Sequence, residues 1–275
     1  MAISLNAFAQ IGDADFFVLE REMRGVRKIT EKSYTAPHLG YWKSVFYYDE
    51  NGFLLRQVNY NKRKKWQVYS MRADYRYEYS ISDTLLVIKE EEVQNINNNP
   101  KVHTIRKFYY NDLKRCYKYE IYSSNHPLNN LGKPNIVGDN FIYKDGLLQS
   151  FDGHSFRWRV DSSDFNRIAS FHRRTYTYDD NQRIERTYHR THIDSAFISG
   201  STYTSIYENG KRIDLIQESS NEREVLLGVP SWSSERTNKM QIRFSDFDKH
   251  GNWTRSYFIT ERGKVFRSER KIEYW

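Results

Sequence analysis

The chain has 275 residues, a formal net charge of +8 and an isoelectric point near 9.3. A hydrophobic content of 38% and a mean hydropathy of −0.85 exclude a thick aliphatic core, whereas an aromatic share of 16%, led by 22 tyrosines, supplies burial and argues against disorder. The single cysteine, Cys116, excludes an intramolecular disulfide framework and a multi-cysteine zinc site, and no run approaches the roughly 18 apolar residues of a membrane-spanning helix.

At the N-terminus, Ile3 to Gln10 has the form of the end of a secretory signal, with Ala7-Phe8-Ala9 as a cleavage site of small residues. Residues 1–9 are therefore read as the remnant of such a signal and the chain as exported, periplasmic or secreted; an ordinary cytoplasmic N-terminus is the alternative. Residues 10–275 are read as a single β domain. Asp15 to Lys28 is the best helix candidate in a chain with little helical periodicity elsewhere.

From there on the sequence reads as strands and turns. Trp42, Phe46 and Tyr48 fall on one face of a strand, which ends in Asp49-Glu50-Asn51-Gly52. Leu54, Arg56, Val58 and Tyr60 then alternate with polar residues. Lys62-Arg63-Lys64-Lys65-Trp66 is the densest basic run, lying close to Tyr60 and Tyr69. It suits contact with an anionic partner, and it equally suits a solvated hairpin loop. Cys116 reads as a buried strand thiol. Asp145-Gly146 and Asn209-Gly210 are the strongest hairpin signals, because a two-residue turn needs positive φ twice. Arg157 and Trp158 form a weaker basic-aromatic pair, and Trp232 lies within the polar segment Glu218 to Arg236. That segment, Gln94 to Lys101 and Ser123 to Asp139 read as long loops. His189 and His192 stand three apart, so on a strand they point to opposite faces and do not make a metal pair.

A repeat underlies these turns. Tyr48-Asp49-Glu50-Asn51-Gly52-Phe53-Leu54 overlays Phe247-Asp248-Lys249-His250-Gly251-Asn252-Trp253, and Tyr178-Asp179 opens a third copy. Tyr48, Tyr79, Tyr110, Tyr143, Tyr178, Tyr207 and Phe247 recur at intervals of roughly 29 to 40 residues, which fits a hairpin plus one or two strands per unit. Tyr79 and Tyr110 lack the glycine. The fold expected is all-β: an antiparallel meander of repeated β-hairpins forming a large curved or partly rolled sheet. On the stretches Phe46 to Gly52, Tyr176 to Asp179 and Phe247 to Thr254, and on the final stretch to Trp275, the chain resembles the YD-repeat (RHS-like) proteins. The resemblance implies β-structure, a cell-envelope or secreted location, and association with carbohydrate or with toxin systems. It implies no catalytic centre.

The chain carries no phosphate-binding loop, dinucleotide fingerprint, zinc-protease or serine-hydrolase motif. Asp49, Asp179 and Asp248 recur at turns, where their oxygens are expected to accept backbone N–H groups. The leading expectation is an exported, non-catalytic module that binds a protein or a glycan, one version being an immunity protein that neutralises a secreted toxin. No cofactor, metal or enzymatic activity is expected. Candidate binding residues are Lys62, Arg63, Lys64, Lys65, Trp66, Arg157, Trp158 and Trp232. The alternatives are a glycan hydrolase using cross-strand carboxylates and a nucleic-acid binder using residues 62–66.

Overall fold

Reverse turns set the architecture. In the computed structural model, Asp145 and Gly146 both have positive φ (52° and 80°) and join Lys144 to its cross-strand partner Leu147. Asn209, at φ 50°, turns the chain between the partners Glu208 and Lys211. Where the tip is longer, an acceptor side chain organises it. Asp49 Oδ1 accepts from the backbone N–H groups of Asn51 (3.0 Å) and Phe53 (2.8 Å), and Gly52 sits at φ 90°. Asp248 does the same for His250 (2.9 Å) and Asn252 (3.0 Å), with Gly251 at φ 87°. The unit at Tyr110 manages without glycine, because Asn111 Oδ1 accepts from the Arg115 N–H at 3.0 Å. Ser82 closes a further tip by pairing, backbone and hydroxyl, with Leu85.

The structure describes residues 23, 25–34, 41–62, 67–95, 103–113, 115–124, 134–156, 168–179, 182–191, 197–209, 211–223 and 238–275. They form sixteen strands: β1 (Val26–Tyr34), β2 (Tyr41–Tyr48), β3 (Leu54–Lys62), β4 (Ser70–Ile81), β5 (Leu85–Asn95), β6 (His103–Tyr110), β7 (Cys116–Ser124), β8 (Ile136–Lys144), β9 (Leu147–Phe156), β10 (Ile168–Tyr178), β11 (Gln182–Thr191), β12 (Phe197–Glu208), β13 (Lys211–Arg223), β14 (Asn238–Phe247), β15 (Trp253–Thr260) and β16 (Gly263–Tyr274). The fold is all-β, an antiparallel meander of hairpins, as the repeat predicts. The tips at Asn51-Gly52 and Asp145-Gly146, and at Asn209, lie where that repeat places them.

The recurring tyrosines explain the spacing of the repeat. The Tyr79 hydroxyl, on β4, donates to the carbonyl of Leu54, the first residue of β3, at 2.8 Å. Tyr143 on β8 reaches the carbonyl of Cys116, the first residue of β7, at 2.8 Å. Tyr178 on β10 reaches that of Leu148 on β9 at 3.0 Å. Each phenol spans to the neighbouring strand and satisfies a carbonyl just beyond the preceding tip, and the Tyr79 ring also packs on Phe53 at 4.9 Å between centroids. Tyr274 varies the theme: its hydroxyl donates to the Asp248 carboxylate and accepts from Asn252 Nδ2 at 2.9 Å.

The chain falls into two compact units that alternate along the sequence. One comprises Met1–Arg106, Ser123–Asn130 and Ile242–Trp275; the other comprises Lys107–Tyr122 and Leu131–Gln241. In the first, β1 pairs with β2 on one side and with β16 on the other, so residues far apart in sequence share a ladder. Ile29, Leu54, Val58, Leu86, Ile88 and Trp253 are buried there, and Ser256 and Ser268 meet across β15 and β16 with their hydroxyls 2.7 Å apart. In the second, Phe108, Tyr119, Phe141, Phe151 and Tyr176 form a chain of rings whose successive centroids lie 5.0–6.4 Å apart. Gly138 has no room for a side chain, since a Cβ there would fall 1.9 Å from the Tyr119 ring.

Two expectations change. The helix predicted over Asp15–Lys28 ends in a strand instead, because Val26–Lys28 belong to β1; Val26 is buried and Lys28 pairs across to Glu273, while residues 15–22 lie outside the described residues. The loops predicted over 94–101, 123–139 and 218–236 are shorter, since β5, β7, β8 and β13 extend into them to Asn95, Ser124, Ile136 and Arg223. In β15 the register with β16 shifts at a bulge between Ser256 and Tyr257, beyond the buried Trp253 and Ser256. Cys116 is buried as expected; burial pushes its thiol up to about 12, and Sγ contacts the Lys118 carbonyl.

Candidate functional site: a basic, tyrosine-rich sheet face

Residues opposite one another in an antiparallel ladder share a face, so the register of β16, β1, β2, β3 and β4 assembles rows of side chains. One row reads Glu273, Lys28, Tyr47, Arg56, Arg76. The next reads Lys271, Thr30, Val45, Val58, Asp74, and the third Glu269, Lys32, Lys43, Tyr60, Met71. A fourth brings Tyr34, Tyr41 and Lys62 together. Sequence-distant lysines and tyrosines thus converge on one face, and basic groups outnumber acidic ones across it.

Part of that charge is neutralised internally. Glu273 pairs with Lys28 (3.4 Å) and Arg27 (3.0 Å), and Glu269 with Lys32 (3.2 Å). Arg56 forms a fork on Asp74, with Nε and Nη2 at 2.9 and 2.7 Å from its two oxygens. That hydrogen bond raises the Arg56 guanidinium further above its ordinary value. At the other end of the face the cations meet rings. Lys43 Nζ lies 4.1 Å from the Tyr60 ring centre and 5.3 Å from that of Tyr69, and Lys62 Nζ lies 4.5 Å from Tyr69 and 5.2 Å from Tyr41. Both ammonium groups therefore flank Tyr69. No acidic side chain pairs with Lys43 among the described residues, and its opposite neighbour on β1 is Lys32.

The second unit holds a related arrangement with an acid in place. On β6 and β7, Lys107 Nζ lies 4.9 Å from the Tyr122 ring centre and Lys118 Nζ 5.4 Å from that of Tyr109. Between them sits Glu120. The Tyr109 and Tyr122 hydroxyls donate to its Oε2 at 2.7 and 2.8 Å, and Lys118 Nζ lies 2.7 Å from Oε1. Burial alone would raise this carboxyl, but the bonds from Lys118, Tyr109 and Tyr122 hold it below the ordinary carboxylate range. Burial, reinforced by the bond to Glu120, pushes Tyr122 up to about 12.

Carboxylates do meet across strands, as the hydrolase alternative requires: Asp139 on β8 faces Asp152 on β9. Asp152 is engaged as an acceptor, however. Arg173 binds both its oxygens (2.7 and 3.0 Å), Asn140 donates to Oδ2 at 3.2 Å, and the Arg173 bonds above all depress its pKa. Among the described residues no cluster of His, Cys, Asp and Glu has the geometry to hold a metal ion.

Of the residues singled out from the sequence, Lys62 takes its place in the lysine–tyrosine cluster; Arg63, Lys64, Lys65, Trp66, Arg157, Trp158 and Trp232 lie outside the described residues. Sequence reasoning missed Tyr41 and Lys43. Equal steps outward from the Asn51-Gly52 tip would have paired them with Lys62 and Tyr60, which is where the ladder puts them.

No protein-family model and no curated protein sequence matches the chain. Among solved structures it is similar to a porin-like protein from Bacteroides uniformis, with a TM-score of 0.49 and 12% identity over 91% of this chain and 98% of that one.

Proposed function

We propose that this chain is a non-catalytic binding module that engages an acidic surface of a protein partner, working in the cell envelope or outside the cell. In the version favoured by the YD-repeat resemblance, the partner is a secreted toxin and the chain is its immunity protein. The observation that carries the reading is the basic, ring-lined face of β1 to β4, on which Lys43 and Lys62 flank Tyr69. Tyrosine and lysine on a rigid sheet offer large contact area at small ordering cost together with a positive field, the combination that gives fast, salt-sensitive protein association. At the Asp139–Asp152 pair, the grip of Arg173 on both oxygens of Asp152 supports a binding role over hydrolysis. Ammonium groups already lie over the Tyr60 and Tyr69 rings, which favours contact with carboxylates over flat stacking of nucleic-acid bases.

Capture from a native envelope fraction tests this. The chain should retain one stoichiometric protein, released as salt rises from about 50 to 300 mM, and the Lys43→Glu/Lys62→Glu double variant should lose it. Recovery of polysaccharide alone would move the case to glycan binding. Undiminished retention by the double variant would refute the assignment of the site.

A further inference from the structure

We infer that the positions of His172 on β10 and His189 on β11 make a two-histidine site for a divalent transition-metal ion, in the second unit and independent of the basic face of β1 to β4. The observation is their register. From the closing pair of this hairpin, Tyr178 opposite Arg183, the ladder runs without a bulge to Ser170 opposite Thr191. Equal steps along it set His172 directly opposite His189. The ladder on the other side of β11 is also unbroken and places Ser199 of β12 opposite His189, while Gly153 of β9 stands opposite His172. The row thus reads Gly153, His172, His189, Ser199, with no acid or base at its flanks. Spacing along one strand conceals such a pair: His189 and His192 fall on opposite faces, whereas a partner in the neighbouring strand shares a face.

Directly opposite residues of an antiparallel ladder have Cβ atoms about 4.5–5.5 Å apart. At that separation two imidazoles can reach one ion, each nitrogen at about 2.0–2.1 Å for zinc. Imidazole suits Zn2+, Ni2+ and Cu2+, whereas Mg2+ and Ca2+ take oxygen ligands, and affinity along the divalent series peaks at Cu2+. Two protein ligands are fewer than a closed structural site uses. The remaining coordination positions go to water or to a donor side chain of a second molecule, so the ion is exchangeable. Arg174, two positions along β10, adds a like charge that lowers the affinity.

The test is calorimetric titration of the untagged full chain with Cu2+, Ni2+ and Mg2+. Cu2+ should bind more tightly than Ni2+, and Mg2+ should not compete. His172→Gln and His189→Gln should each weaken Cu2+ binding by about tenfold or more, because the second ligand engages intramolecularly, whereas His250→Gln, at the β14–β15 tip, should stay within about twofold. The double variant His189→Ser/Arg190→His keeps the number of histidines but moves one to the other face, and it should lose binding as His189→Gln does. The wild-type chain gives a reading that no altered fold can confuse: the electron paramagnetic resonance spectrum of bound Cu2+ should show coupling to two imidazole nitrogens. A one-nitrogen spectrum, undiminished binding by His172→Gln, or full binding by the face-shifted variant would overturn the pair. Equal loss in His250→Gln would mean binding scattered over the histidines and would overturn it as well.

Discussion

Single side chains at the hairpin tips carry much of the local order. Asp49 and Asp248 each hold two backbone N–H groups that the ladder leaves over, so Asp49→Ala should lower stability by about 1–2 kcal/mol in urea unfolding, while Asp49→Asn should cost less, since Asn111 performs the same service in another copy. Gly138→Ala should cost more, about 1–3 kcal/mol, because the added methyl meets the face of the Tyr119 ring and displaces a ring at the centre of the aromatic chain. The role of the aspartates was legible in the sequence: a carboxylate recurring just before a glycine has an obvious local task. The task of Tyr79, Tyr143 and Tyr178 was not. A phenol's spacing can be read from one chain, but the carbonyl it reaches belongs to the neighbouring strand and is fixed only once the register is known.

At the level of strands, the turns decide register and the register decides the site. Gly146→Val places a β-branched residue at φ 80° and should destabilise the protein by about 1–2 kcal/mol, read as a lowered melting temperature, without moving the Lys43 cluster in the other unit. Strand existence was legible from alternation and from Asn-Gly and Asp-Gly pairs; exact faces were not, because bulges interrupt the period. Asn140 and Asp246 adopt positive φ inside β8 and β14, and a bulge separates Tyr47 from Tyr48, shifting which side chains face inward beyond it. The same gap explains the partial view of the candidate site. Lys62 stood out because four basic residues follow one another, whereas Lys43 stands alone in its strand and gains its meaning from Tyr60 and Lys32 on either side.

For the molecule as a whole, titration should bound stability on both sides. Arg173 holds the Asp152 carboxyl low, and Lys118 with two phenols outweighs burial to hold Glu120 low. A carboxyl depressed by folding adds stability that is present above its unfolded value, near 4, and fades as pH falls toward the folded one. Burial raises Tyr122 and Tyr274 to about 12, so the folded chain keeps protons that the unfolded chain releases near 10, and stability declines as pH climbs from about 10 to 12. Melting temperatures should therefore be flat between about pH 5 and 9 and fall at either extreme; Tyr274→Phe should soften the alkaline decline.

The pairing of β1 with β16 has a consequence for biosynthesis. A ribosome delivers Val26–Tyr34 more than two hundred residues before Gly263–Tyr274, so one side of β1 stays unsatisfied until β16 has emerged. Closing so long a loop is slow, and the waiting edge is a template for other chains. Molecules lacking 263–275 should accumulate as aggregates, and a nascent-chain pull-down should find β1 in the hands of a chaperone.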